Sequence, residues 1–169
     1  MIQIRATTAE DENLINILLK ESYPSLMKDA YTSNVLNIAI PIISKSRLEL
    51  LSSGTYFLAT TDNGKIVGCG GWTKHCPSPN NKNHDTRQNT GHIRHFATHP
   101  DYTRQGIGKK IYDQCKNQAI KHDIQEFECF ASLNAEEFYK SLGFKTIQKT
   151  SIPITEEMLF PCILMHQIL

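Results

Sequence analysis

The residues best placed to do chemistry lie between Gly91 and Ala119. His92-Ile-Arg-His-Phe-Ala-Thr98 has the character of a buried strand. Thr103-Arg-Gln-Gly-Ile-Gly108 has that of a tight turn feeding a helix from about Gln105 to Lys121. A strand, a Gly-bearing turn and a helix start together make an anion site, because the helix dipole and its unpaired N–H groups both favour phosphate. Gly106 and Gly108 allow the backbone to approach a phosphate with no Cβ in the way. The amides of Arg104, Gln105, Gly106, Ile107, Gly108 and Lys109 are therefore the expected cradle for a pyrophosphate. Arg104, Lys109 and Lys110 either add charge for a further phosphate or form a solvated basic face. A P-loop is excluded, since no Gly-Lys-Ser/Thr follows the turn, and Ile111 stands where a dinucleotide fingerprint needs its third glycine.

Histidines cluster around this stretch: His75, His84, His92, His95 and His99. An imidazole titrates near ~6.5, which suits base work near neutrality. Strand alternation puts His92 and Arg94 on one face and His95 on the other. The histidine spacings match no zinc pattern and no pair sits at i, i+4 on a helix, so no metal is expected.

Thr103-Arg-Gln-Gly-Ile-Gly108, following a strand that ends in His99-Pro100, resembles motif A of the GCN5-related N-acetyltransferases, with Thr103 where the family pattern has Arg or Gln. Ser132-Leu-Asn-Ala-Glu-Glu-Phe-Tyr-Lys-Ser-Leu-Gly-Phe144 resembles motif B. Both motifs occur in order and at the family's separation, and the likeness covers roughly 55–169. The resemblance implies a GNAT fold: a mixed, mostly antiparallel central sheet with one parallel, splayed strand pair, flanked by helices. It implies acetyl-CoA as co-substrate, with its pyrophosphate on the turn. Phe96, Ala97 and Thr98 would pair with the pantetheine arm, one amide facing the thioester oxygen as an oxyanion site. Tyr139 would be the general acid, since the leaving thiolate needs a proton and a phenol of pKa about 10 matches it. His92 stands about where the family often places a basic Glu, with His95 and then His75 as further candidates. Asn134 either hydrogen-bonds pantetheine or caps its helix with Glu137. The implied activity is direct transfer of acetyl to a primary amine of a small molecule or peptide. The alternative is a non-catalytic acyl-CoA sensor of the same fold. The resemblance also allows a homodimer using the strand 162–169.

These groups must be positioned by the rest of the chain. Its 169 residues are 40% apolar and 21% charged, with a formal net charge of +1. That composition suits one globular domain over 1–169 and points to neither nucleic acid nor an anionic membrane as partner. Five scattered cysteines without Cys-x-x-Cys, and polar and charged residues following Met1-Ile2-Gln3-Ile4-Arg5 at once, fit a cytoplasmic chain with reduced thiols. Gln3–Arg5 reads as a strand. Thr7 and Glu10 form a capping box before a helix that carries Leu14, Ile15, Ile17 and Leu18 and stops before Pro24. Residues 31–53 read as two helical pieces broken at Pro41. Thr55–Thr60 and Ile66–Trp72 form a hairpin about Asn63-Gly64, both turn residues wanting positive φ. The stretch 76–90 has no aliphatic residue and reads as a long loop. With Trp72 and the N-terminal helices it should border the acceptor groove. Ile107, Ile111, Cys115 and Ala119 form the buried stripe of the motif A helix. Phe127, Cys129 and Ala131 alternate inward on a strand over Glu126–Ser132. The crossover between it and His92–Thr98 is expected to be right-handed, which makes the two strands parallel. Strands at 144–148 and 162–169 close the sheet.

Overall fold

A computed structural model describes residues 1–77 and 88–169. The loop expected over 76–90, and His84 within it, lies mostly outside the described residues. The elements run β1 (Ile2–Ala6), α1 (Glu12–Met27), α2 (Ser33–Ile43), α3 (Leu48–Leu51), β2 (Tyr56–Thr61), β3 (Ile66–Thr73), β4 (Thr90–Thr98), α4 (Ile107–Lys121), β5 (Glu126–Ser132), α5 (Glu136–Ser141), β6 (Lys145–Pro153) and β7 (Leu159–Ile168). They form a seven-stranded sheet of order β1-β2-β3-β4-β5-β7-β6. All neighbours are antiparallel except β4 and β5. No helix among the described residues is long and apolar enough to cross a membrane.

Strand alternation divides the core between the two sheet faces. Phe57 and Ala59 of β2 pack with Val67, Phe127, Met165 and the α4 stripe Ile107, Ile111, Cys115 and Ala119. Tyr56 and Leu58 point the other way, onto Ile15, Leu18, Leu19, Leu50 and Leu51 of α1 and α3. The N-terminal helices are pinned by polar contacts. Arg5 forks onto Asp11, at 2.8 and 2.6 Å, and the Thr8 amide donates to the same carboxylate at 2.8 Å. The Arg5 hydrogen bonds hold the Asp11 carboxyl below its usual range. Tyr31 donates to the Pro161 carbonyl at 2.7 Å and accepts from the Leu133 amide at 2.8 Å, tying the end of α1 to β5 and β7.

Several expectations are corrected. α1 runs through Pro24 to Met27, and α2 contains Pro41. In α1 the buried face of Ile15, Leu18, Leu19, Ser22, Tyr23 and Met27 outweighs the missing Pro24 hydrogen bond. Helical phase then turns Leu14 and Ile17 outward, 51% and 53% exposed. The capping box is Thr8 with Asp11, one residue on from the expected pair. Thr7 is instead buried, its hydroxyl donating to Leu51 O at 2.8 Å. At the β2–β3 turn only Gly64 has positive φ, among the residues from Thr61 to Lys65. β7 is paired on both sides, by β5 and β6, so it has no free edge for a strand-to-strand dimer contact. Trp72 is buried among Phe127 and His122, donating from Nε1 to Gln118 at 3.0 Å, and does not border the groove.

Gly70 shows how tightly β3 meets β4. A Cβ there would lie 2.5 Å from Cδ2 of Phe96, so the ring lies directly on the strand backbone. Gly70→Ala should destabilise the protein by about 1–3 kcal/mol through overpacking. A lowered urea midpoint with unchanged m value is the expected result, and an unchanged midpoint would show that Phe96 can move aside.

Candidate active site

β4 and β5 pair only through Thr90–Glu126, Gly91–Phe127 and His92–Glu128. Beyond those positions the two strands part. β4 remains held by β3, and β5 by β7 through to Ser132. The facing edges, 93–98 on one side and 129–132 on the other, therefore have no strand across from them. Backbone N–H and C=O groups in such a wedge need other partners. The wedge is the floor of a cavity of about 760 Å³ whose lining includes Arg94, His95, Phe96, Ala97, Thr98, Cys129, Phe130 and Ala131.

One end of this cavity is the turn before α4. Arg104 has φ +58° and Gly106 φ +76°, so two left-handed residues bend the chain into a concavity of amides. Gly106 occupies the cap position without a side-chain capping bond, and the first helical bond across it runs from Lys110 N to Gly106 O at 3.0 Å. The amides of Ile107, Gly108 and Lys109 therefore start the helix without an intrahelical acceptor. Packing alone also requires Gly108 to be small. A Cβ there would lie 2.9 Å from Cζ of Phe138, so the residue is small because α5 packs onto α4. The Lys109 ammonium is bonded to Asp113 at 2.7 Å, which leaves its backbone amide as its contribution to the site. The Gln105 side chain turns back to the Asp101 carbonyl at 3.3 Å, and Ile107 is a core residue by its side chain.

Tyr139 lies deeper in the same cavity, 5% exposed, its ring edge-on to Phe96 and Phe144. Its hydroxyl is in hydrogen-bonding contact with the Cys129 thiol, and burial above all pushes the phenol well above its ordinary pKa. Asn134 sits exposed on a short 3-10 turn, Leu133–Ala135, and lines the cavity. It does not cap α5, whose cap position is Ala135 with no side-chain bond, so that expectation is corrected.

The histidines divide differently from the sequence alternation. β4 carries a bulge, with a register shift opposite Cys69/Gly71 and His95 at φ +46°. Arg94 and His95, neighbours in sequence, both line the cavity, as does the whole run from Ile93 to Thr98. His92 does not: it is 1% exposed and faces Glu128, with Nδ1 3.7 Å from a carboxylate oxygen. A base must reach the amine, so His92 is displaced from that role by its position. His75 is exposed outside the cavity.

The N-terminal helices border the cavity as expected, but the sequence did not name the residues of α1 that do so. Ser22, Tyr23, Leu26 and Met27 line the cavity, and Ser22 Oγ donates to the Thr98 carbonyl at 2.8 Å. The signal was the apolar repeat continuing past Pro24.

The chain belongs to the GNAT acetyltransferase family: residues 29–152, well over half of it, match the acetyltransferase (GNAT) domain. By family it is an acetyl-CoA-dependent N-acetyltransferase. Solved structures with the same fold include a GCN5-related N-acetyltransferase from Rhodopseudomonas palustris, 20% identical over 99% of this chain and 95% of that one, at a TM-score of 0.79. The PaiA N-acetyltransferase of Thermoplasma acidophilum, solved with coenzyme A, is 17% identical over 100% and 99%, at 0.74. A GNAT-family acetyltransferase of Staphylococcus aureus Mu50 is 17% identical over 99% of both chains, at 0.67. No curated protein matches the chain.

Burial first, then the charges of Arg94 and Arg47, push the His95 imidazole down to about 4. The unfolded chain takes up this proton near ~6.5 and the folded chain does so only well below that. Stability should therefore fall as pH drops from about 6.5 towards 4. Allowing for partial exposure, His95 should account for about 1 kcal/mol of loss between roughly pH 7 and 5. Urea unfolding at the two pH values checks this: His95→Gln should flatten the difference, and an equal loss in the variant would remove His95 as its source.

Proposed function

We propose that residues 1–169 act as one N-acetyltransferase domain, passing acetyl directly from acetyl-CoA to the primary amine of a small molecule or peptide in a ternary complex. The observation that carries this reading is convergence: the amides before α4, the open edge of β4 and Tyr139 all face one cavity. In this scheme the pyrophosphate sits on the amides from Arg104 to Lys109, where helix dipole and unpaired donors offset its charge. Pantetheine fills the wedge, pairing with Phe96, Ala97 and Thr98 and reaching Asn134. One β4 amide holds the negative charge that develops on the thioester oxygen during attack.

The amine enters from the side of α1, past Ser22, Tyr23 and Leu26, towards Arg94 and His95. His95, kept neutral, offers an acceptor for an amine N–H and orients the nucleophile. With so low a pKa it is a poor store for the proton, which leaves to solvent. Attack on the carbonyl carbon expels the thiolate. Tyr139, protonated throughout the neutral range, donates to the departing sulfur and takes a proton back from solvent, which balances the one the amine released. No covalent enzyme intermediate is required. No disulfide joins any of the five cysteines, which fits a reducing compartment, and we place the enzyme in the cytoplasm.

Tyr139→Phe should lower kcat by about 10²-fold or more while the CoA dissociation constant, measured by calorimetry, stays within about twofold. An unchanged kcat would take Tyr139 out of the mechanism. Acetyl-CoA binding with no CoA release across a broad amine panel would favour a sensor over an enzyme, and absence of acyl-CoA binding would end the proposal.

A further inference from the structure

We infer that Cys76, His92 and Glu128 form a site for a divalent metal ion, with zinc as the ion that best suits the donors. Sequence spacing gives no hint of it, because only one histidine takes part and the other donors come from elements far apart in the chain. Cys76 follows β3, His92 is on β4 and Glu128 is on β5. His92 and Glu128 are brought together by register, as the last directly opposed pair of the parallel ladder before the strands part.

Three observations support the assignment. The first is convergence: one donor atom from each residue, thiol sulfur, imidazole nitrogen and carboxylate oxygen, lies within 4.8 Å of the other two. Around a tetrahedral zinc, with bonds of about 2.0–2.3 Å, ligand atoms sit about 3.4–3.6 Å apart. The 3.7 Å between His92 Nδ1 and Glu128 Oε1 is already close to that separation. The second is burial. His92 and Glu128 are 1% and 3% exposed, so an ion held between them would sit in a low-dielectric setting that strengthens its attraction to its ligands. A thiolate and a carboxylate on one divalent ion, with a neutral imidazole, sum to no net charge. The third is the donor set. Sulfur, imidazole nitrogen and carboxylate oxygen are the ligands of zinc sites, whereas magnesium and calcium take oxygen.

The same three residue types could instead make a nucleophilic relay of thiol, imidazole and carboxylate. In such a relay the thiol and the carboxylate sit at opposite ends of the ring. Here they approach each other within 4.8 Å, which is the geometry of ligands around one centre. Pro77, next to Cys76, lines the cavity, so an ion on Cys76 would also hold that wall in place. The site stands independently of how acetyl is transferred.

The test uses the full chain, reduced and stripped with a chelator, then titrated with zinc in competition with a chromogenic indicator and, separately, with cobalt. One zinc should bind per chain, and the cobalt form should show a thiolate-to-metal charge-transfer band. Cys76→Ser should remove the band and weaken zinc binding by about tenfold or more, and Glu128→Gln should weaken it by a similar factor. As a check that needs no variant, zinc should slow alkylation of Cys76 in the native protein, located by mass spectrometry. Absence of stoichiometric binding, a charge-transfer band that survives Cys76→Ser, or alkylation of Cys76 indifferent to zinc would each overturn the assignment.

Discussion

The parting of β4 from β5 is the constraint on which the rest of this molecule depends. A sheet that opens in its middle exposes main-chain donors and acceptors where a folded chain ordinarily satisfies them. The opening is stable because each strand is secured on its other side, β4 by β3 and β5 by β7. The long β6–β7 hairpin backs this arrangement, since β7 pairs with β5 along the whole of β5, from Glu126 to Ser132. The cavity is thus a consequence of topology. A parallel pair joined through α4 meets at one end only, and the C-terminal ends of its strands are left facing each other across empty space.

Around that opening, two contacts set where the chemistry can occur. Phe138 against Gly108 fixes α5 to the start of α4, and so fixes Tyr139 relative to the amides at the α4 N-terminus. Phe96 over Gly70 fixes the bulged part of β4, and with it Arg94 and His95. Ser22 bonded to the Thr98 carbonyl brings α1 over the same strand. The end of the cavity proposed for the cofactor is therefore made largely of backbone held by packing. The end where an amine would enter is made of side chains from α1 and β4.

That contrast explains what could be read from the sequence. β5 was legible to the residue, because Phe127, Cys129 and Ala131 alternate without interruption. The α4 stripe and the turn before it were equally plain, since helical period and glycine position are local signals. The parallel pairing followed from handedness alone. What failed was decided by tertiary contacts. Pro24 and Pro41 sit inside helices because burial outweighs a local preference. His92 and His95 changed places because nothing in the residue type announces a bulge at His95. The meeting of Cys76, His92 and Glu128 depends on strand register across a crossover, which no spacing rule encodes.

A cleft built from main chain has a further consequence, for how such a protein changes over time. Main-chain amides are present whatever side chains surround them, so substitutions that preserve the bend at Arg104–Gly106 and the parting of the strands leave them in place. Relatives can then drift to 17–20% identity while keeping the shape at TM-scores of 0.67–0.79. The wall contributed by α1 has no such protection. Each replacement there alters what the cavity will admit, so new specificities can arise on one side of the pocket at little risk to the other.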